Sequence, residues 1–419
     1  MSGRIGKQMN QSKNVLVVGG GAAGLMAAGT AARRGHRVTI LEKMERPGRK
    51  LMITGKGRCN LTNQCDRDAF IAAVHRNGRF LYSAYTLFDS AAVMAFFEEL
   101  GLPLRVERGN RVFPASDRAV DVVDALAEFA RRSGAVMVRD CARQLLLEEN
   151  RIRGIQGESG REYTADAVVL ATGGRSYPLT GSTGDGYRMA RAAGHTTIEP
   201  KPSLVPLNAA EDWCRKLQGL SLKNAAITVM DNDSGKTVYA DFGEMLFTHF
   251  GLSGPMILSA SAHMESMRPG KYTVAIDLKP ALSLEQLDKR LCGDFSKYAN
   301  RDFDHALSDL FPRKLIPVMA GLSGIPRDKK THSVTREERA AFGRLIKALP
   351  VTIDSFRPIE EAIVTSGGVS VREIDPKTMM SRRVDGLYFA GELIDADAYT
   401  GGFNLQIAWS TGYAAGVSI

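Results

Sequence analysis

The chain has 419 residues, 44% hydrophobic, 24% charged and 7% aromatic, with 42 glycines and a formal net charge of +9. That length and balance allow two or three domains with a sizeable core, and they exclude disordered, collagen-like and disulfide-scaffold classes. The charge is uneven: residues 1–80 hold 15 Lys and Arg against four Asp and Glu, a balance of +11, while the remainder balances to −2, so the segment calls for an anion, be it nucleic acid, membrane or something nearer.

Residues 1–12 are polar and expected to fray. Arg4, Lys7 and Lys13 then precede an uncharged stretch over 14–32, the outline of a secretory signal or a membrane span. Glycines at 19, 20, 21, 24 and 29 instead divide the stretch into a β-branched run and an Ala-rich run. That is strand, turn and helix. The strand is predicted over 15–18, the helix over 22–34 with Gly35 beyond its end, and a second strand over 37–42. This βαβ unit makes the two strands parallel. Residues 43–65 read as a loop rich in Gly, Lys, Arg and Asn. Helices are predicted over 68–76, 79–100 and 119–133, with a hairpin at 104–106 and 111–113 around Gly109-Asn110. Strands follow at 136–139, 142–148, 152–158 and 167–171, then a Gly173-Gly174 loop and a helix at 184–193.

The character changes near Thr196, where Pro200, Pro202 and Pro206 mark a crossover between domains. Strands are predicted at 226–230, 237–240 and 272–278. Residues 283–349 read as helical, with breaks at Pro312, Pro317 and Pro326. From 353 the chain returns to strand and loop, with a strand at 387–390 and a helix over 404–415. The simplest architecture is one α/β domain built from both ends of the chain, with a mixed β-plus-helical insert over 196–352. Cysteines at 59, 65, 141, 214 and 292 form no CxxC, which points away from disulfides, a zinc ribbon or a redox dithiol. A reducing, cytoplasmic setting is expected, with no metal and no membrane span.

Gly19-Gly20-Gly21-Ala22-Ala23-Gly24 satisfies GxGxxG directly after a strand and at the start of a helix, the context a dinucleotide fold requires. Gly19 allows the tight turn, Gly21 lets backbone approach a pyrophosphate, and Gly24 permits close helix packing. The helix N-terminus offers free N–H groups to the phosphates. Glu42 ends the second strand, where a carboxylate accepts hydrogen bonds from ribose hydroxyls and disfavours a 2′-phosphate. The following segment is Gly48-Arg49-Lys50, then Thr54-Gly55-Lys56-Gly57-Arg58-Cys59-Asn60-Leu61-Thr62-Asn63. It can wrap a ligand larger than a nicotinamide dinucleotide: Arg49 and Lys50 facing pyrophosphate, backbone N–H, Asn and Thr groups facing ribityl and ring atoms.

These stretches together resemble the BaiN/RdsA (YhiN-type) family of FAD-dependent oxidoreductases. The matching segments are VLVVGGGAAGLMAA (15–28), GRKLMITGKGRCNLTN (48–63), VLATGGRSYPLTGSTGDGYRMARAAGH (169–195), LFTHFGLSGP (246–255), TSGGVSVREID (365–375) and GLYFAGELIDADAYTGGFNLQIAWSTGYAAG (386–416). The resemblance implies a Rossmann-like FAD-binding domain of the glutathione-reductase/fumarate-reductase type over 14–195 and 353–419. It also implies a β-barrel-like insert over 196–280 and a helical insert over 281–352. FAD would rest its ADP half on Gly19, Gly21, Ala22, Ala23, Gly24, Glu42 and Lys43, with adenine near Ala142 and a second strand turn at Ala171, Thr172, Gly173 and Gly174. The flavin would lie between the 54–63 loop and the C-terminal motif. There Gly391 and Glu392 meet the ribityl chain, and Gly401, Gly402, Phe403 and Asn404 open a helix toward the flavin N1/C2=O edge. A helix N-terminus suits the negative charge that reduced flavin carries at that edge.

The fold does not fix the reaction. Acid/base candidates are His249, Cys59 and Tyr399, each with an ordinary alternative as a packed or turn residue. The first functional expectation, from the resemblance, is reduction or dehydrogenation of a C–C bond in a small, cyclic or enone substrate. NAD(P)H would visit transiently, because no second GxGxxG is present. An amine-oxidase-type enzyme is the alternative. A flavin-dependent RNA-modifying or RNA-binding protein comes last, because no RNA-binding motif accompanies the charge. The cofactor's two phosphates would give Arg49, Lys50, Lys56 and Arg58 an anion to meet.

Overall fold

Val15, Leu16, Val17 and Val18 are all buried, and a strand apolar on both faces needs a parallel neighbour on each edge and cover above and below. The computed structural model, which describes residues 11–419, provides both. The expected fraying of residues 1–12 falls mainly on positions outside the described ones. Strand Asn14–Val18 lies at the centre of a five-stranded parallel sheet. On one side follow Arg37–Glu42 and Val136–Arg139; on the other, Ala167–Leu170 and Leu387–Phe389. Val17 registers with Ile40 and with Val169. Helix Ala22–Arg33 makes the crossover between the first two strands and ends where Gly35 takes a left-handed φ of 93°.

The long helix Phe403–Ser418 packs along Ala22–Arg33 at backbone distance. A Cβ on Gly412 would lie 2.4 Å from the Ala23 carbonyl oxygen, and one on Gly416 would lie 2.7 Å from that of Ala27. Small residues one turn apart therefore set the closeness of these two helices.

Contacts divide the described chain into two compact units, one running to Pro202 and resuming at Ile363–Ile419, the other Ser203–Ala362. The strands Thr197–Ser203 and Val364–Val369 pair with each other. The divisions consequently fall after 202 and after 362, not at the expected 195 and 352. The second unit is a closed six-stranded barrel, in the order Leu207–Ala209, Gly251–Ser253, Lys236–Phe247, Ser221–Asp231, Tyr272–Asp277 and Leu349–Phe356. Helices Leu284–Lys297, Ile316–Leu322 and Arg336–Lys347 share one apolar core with it. The first and last of these begin with capping boxes, Ser283/Gln286 and Thr335/Glu338.

Several expected elements are corrected. The helix expected over 79–100 is two, Tyr82–Leu87 and Ser90–Glu99, because the Asp89 carboxylate accepts from Ala92 N–H and starts a new helix. The loop expected over 43–65 contains a short helix, Arg49–Ile53, and a strand, Thr62–Asn63. Helix was expected up to 349, but Leu349 already begins the last barrel strand. The proline-bearing crossover near 200 is itself a strand, its prolines tolerated in a two-stranded sheet. No single helix among the described residues is long and apolar enough to cross a membrane.

Candidate functional site

The turn after the first strand is shaped by glycines that have no space for a side chain. A Cβ on Gly19, at φ 98°, would lie 2.6 Å from the Ala171 carbonyl, and one on Gly24 would lie 1.9 Å from that of Gly19. Gly21 differs: its φ is −83° and nothing lies within 4 Å of where its Cβ would be. Gly21 caps the helix with no side-chain hydrogen bond, so first-turn N–H groups at Ala22 and Ala23 face an open cradle. Beside it, the buried Glu42 carboxylate accepts from Gly20 N–H at 2.6 Å and from Met44 N–H at 2.8 Å. Two acceptor positions remain on a carboxylate so used.

Ala171, Thr172, Gly173 and Gly174 follow strand Ala167–Leu170 against this turn. Ala142 is buried at the start of strand Ala142–Glu148, two residues beyond Asp140, whose N–H donates to the Glu42 carbonyl. The Thr172 hydroxyl and the Asn60 side-chain oxygen are buried without a hydrogen-bond partner among the described residues. Buried polar atoms are rarely left so. Both residues belong to the set expected to hold FAD. The open cradle, the uncapped helix and these two atoms fit an extended, phosphate-bearing ligand.

The segment 54–63 is a run of tight backbone. Gly55, Lys56, Gly57 and Cys59 all take left-handed φ, between 57° and 82°. Its far end is tied to the C-terminal motif. Thr62 Oγ1 donates to Gln406 Oε1 at 2.5 Å, Asn63 Nδ2 donates to the Gly401 carbonyl at 3.1 Å, and Trp409 Nε1 donates to the Leu61 carbonyl at 2.9 Å. A Cβ on Gly402 would lie 2.4 Å from the Thr62 carbonyl. Gly402, at φ 101°, caps helix Phe403–Ser418 with no side-chain partner. Asn404 clamps the approach to this turn by exchanging hydrogen bonds with the Ala398 backbone. Gly391 N–H donates to Thr411 Oγ1 at 2.9 Å.

Several of the basic residues pair with acids of the protein itself. Lys50 was expected to face pyrophosphate, but its ammonium is 2.6 Å from the Glu392 carboxylate, which also accepts from Thr365 N–H and Ser176 Oγ. Lys43 pairs with Asp185 at 2.6 Å. Arg58 lies over the Phe113 ring and donates to Glu107 and Asp117, holding both carboxyls below their usual range. Arg46 pairs with Asp124 and Arg76 with Asp395. Each of these cations comes from the basic first 80 residues, and each acid comes from beyond them. Arg49 and Lys56 are exposed.

Of the acid/base candidates, Cys59 is fully buried, and burial pushes its thiol up to about 12, which opposes a thiolate role. His249 is exposed in the barrel unit, edge-on to Phe250. Tyr399 stands in a cluster the sequence reading missed. The His75 ring stacks on Tyr399 with centroids 5.3 Å apart, and His75 Nε2 is 2.9 Å from the Asp397 carboxylate. The Asp397 side chain is only 1% exposed and also accepts from Ser366 Oγ at 2.9 Å. Burial, then the nearby Asp397 charge, holds the Tyr399 phenol above its usual range. Asp395 and Asp397, two acids close together in the run IDADA between Ile394 and Ala398, were the available signal.

The family model described as "HI0933-like protein Rossmann domain" matches residues 13–418. The chain is 34% identical over 406 residues to the 3-dehydro-bile acid delta(4,6)-reductase of Clostridium scindens, covering 96% of this chain and 97% of that protein. It is 29% identical over 404 residues to the ribosomal RNA dihydrouridine synthase of Escherichia coli K12, covering 96% of each. Among solved structures, a flavocytochrome c3 fumarate reductase in its open conformation aligns with a TM-score of 0.51 at 17% identity, over 97% of this chain and 78% of that one, a likeness of fold.

Proposed function

The chain belongs to the HI0933-like Rossmann family of FAD-dependent flavoproteins, and from that premise we propose that it reduces a ring C=C bond conjugated to a carbonyl in a small organic substrate. That it is an FAD-dependent oxidoreductase follows from the family. The reading of the substrate is carried by the whole-length relationship to the bile acid reductase. The names of the two relatives described above point to one kind of change, two hydrogens gained across a ring double bond beside a carbonyl.

When bound and reduced, FAD would supply the two electrons as a hydride. The chain's own residues bind and orient. Gly21, Ala22 and Ala23 present the helix N-terminus to pyrophosphate, Glu42 accepts from ribose hydroxyls, and Thr172 and Asn60 supply polar atoms that still lack partners. The uncapped helix start at Gly402, Phe403 and Asn404 would face the edge of the flavin where negative charge develops. NADH or NADPH is the donor in this reading, visiting without its own domain.

A second reading, a uracil ring within RNA as the substrate, is favoured by the length of the match to the Escherichia coli synthase. One experiment separates the two. The yellow holoprotein is reduced anaerobically with NADH or NADPH, then mixed with a 3-oxo-4-ene steroid or with ribosomal RNA lacking dihydrouridine. Return of oxidised flavin absorbance with the steroid supports the first reading, and return with RNA only supports the second. Return with neither overturns both, and no bleaching by either nicotinamide removes that donor.

A further inference from the structure

We propose that His75, oriented by Asp397, is the proton donor of the reduction, acting through Nδ1. The proposal rests on the double-bond reductase reading, and it comes from a pairing that sequence distance conceals. His75 follows helix Arg67–Ala73, while Asp397 lies in the run that leads to the Gly401-Gly402 turn. Four contacts knit these stretches together. Tyr399 N–H donates to the Ala73 carbonyl at 3.1 Å, Arg76 and Asn77 both donate to Asp395, and His75 Nε2 meets Asp397 at 2.9 Å. The stack on Tyr399 fixes the plane of the imidazole.

The two ring nitrogens are therefore unequal. Nε2–H donates to a buried carboxylate that Ser366 also holds. Nδ1 is buried and has no partner among the described residues. Buried polar atoms are rarely left unpartnered, so its persistence needs a reason. A carboxylate on one imidazole nitrogen fixes the tautomer and stabilises the cation, leaving the other nitrogen to exchange a proton with a reacting group. Here the free nitrogen belongs to a residue stacked on Tyr399, two positions before the turn assigned to the flavin.

Saturating a conjugated C=C takes a hydride at the carbon remote from the carbonyl and a proton at the adjacent carbon. The reduced cofactor of the family activity is the hydride source. The proton comes from the His75 imidazolium: the Nδ1–H bond breaks, its electron pair stays on nitrogen, and the enolate carbon gains the C–H bond. Neutral His75 remains, with Nε2–H on Asp397, and water restores the lost proton. His75 touches substrate in this scheme, and Asp397 is a positioning residue.

The test uses the FAD-bound protein. Histidine-selective ¹⁵N NMR of the oxidised holoprotein reads the His75 tautomer without any turnover. The expected state of the neutral ring is protonated at Nε2, and Asp397→Asn shifts its population toward Nδ1–H. In the second measurement, flavin is reduced anaerobically and its reoxidation is followed with a 3-oxo-4-ene steroid and with ribosomal RNA lacking dihydrouridine. His75→Gln slows reoxidation by about 100-fold or more, the usual scale for losing a general acid. FAD content and the near-ultraviolet dichroism report that the variant is folded. If His75→Gln misfolds, Asp397→Asn carries the kinetic test, with a loss of about 10-fold or more expected. A neutral wild-type ring protonated at Nδ1, or unchanged reoxidation in a folded variant, overturns the proposal alone. Wild-type protein that reacts with neither probe overturns the reductase reading and the proposal with it.

Discussion

Lys50 and Glu392 meet at 2.6 Å, tying the basic loop to the turn after strand Leu387–Phe389. The Glu392 side chain is 19% exposed and also satisfies Thr365 N–H. Glu392→Ala strands a partly buried ammonium and a backbone donor together. It should lower stability by about 2–4 kcal/mol, read from urea unfolding of the apoprotein. Glu392→Gln keeps the hydrogen-bonding shape and should lose less than half of that.

Two glycines should separate ligand contact from folding. Gly21→Ala meets nothing within 4 Å and keeps an ordinary φ of −83°. Stability should change by about 1 kcal/mol or less, while FAD affinity falls about 10-fold or more as the methyl enters the cradle. Gly402→Ala instead drives a methyl to 2.4 Å from the Thr62 carbonyl at a φ of 101°. It should cost about 3 kcal/mol or more in the apoprotein. Equal FAD affinity for wild type and Gly21→Ala, measured by fluorescence titration, would remove Gly21 from the binding surface.

Glu42 has two duties that one variant can separate. Its carboxylate already holds the Gly20 and Met44 N–H groups, so Glu42→Ala should destabilise the apoprotein by about 2 kcal/mol besides weakening FAD binding. The ribose role predicts more: wild type should prefer ADP-ribose over its 2′-phosphorylated form, and Glu42→Gln should narrow that preference. An unchanged preference in competition binding would leave Glu42 only its turn-forming part.

Cys59 and Cys214 are both fully buried, and burial pushes each thiol up to about 12 from an ordinary value near 9. Folded protein should resist iodoacetamide at both positions at pH 8 and react after unfolding, as read by mass spectrometry of the peptides. The linkage has a definite sign. A folded-state pKa above the unfolded one gives stability that is complete below about pH 9 and is lost as pH rises toward 12, at about 1.4 kcal/mol per pH unit for each thiol. Alanine at either position should flatten that slope.

Local pattern and long-range pairing were not equally legible in the sequence. The βαβ unit was readable because Val15, Leu16, Val17 and Val18 are followed at once by GxGxxG and an Ala-rich run. The C-terminal helix was readable too, though Gly412 and Gly416 gave no hint of the helix they touch until the fold placed Ala23 and Ala27 beneath them. The break at Asp89 was a capping signal hidden inside a long apolar pattern. The charge excess misled most. It looked like a local property of residues 1–80, yet Asp124, Asp185, Glu392 and Asp395 arrive from elsewhere to meet it. His75 and Asp397 were invisible as a pair for the same reason: only tertiary structure brings them within hydrogen-bonding distance.

The central sheet has an order of manufacture as well as an order in space. Strand Ala167–Leu170 waits for its neighbour Leu387–Phe389 through about 200 residues of further synthesis, and Ala22–Arg33 waits longer still for Phe403–Ser418. The barrel unit, continuous in the chain, is translated whole during that interval. A ribosome therefore finishes the inserted unit while the dinucleotide fold still exposes an unpaired apolar edge and the bare glycine-seeking face of its first helix. The nascent chain is most vulnerable to aggregation there, and cofactor capture must be among the last events of its biogenesis.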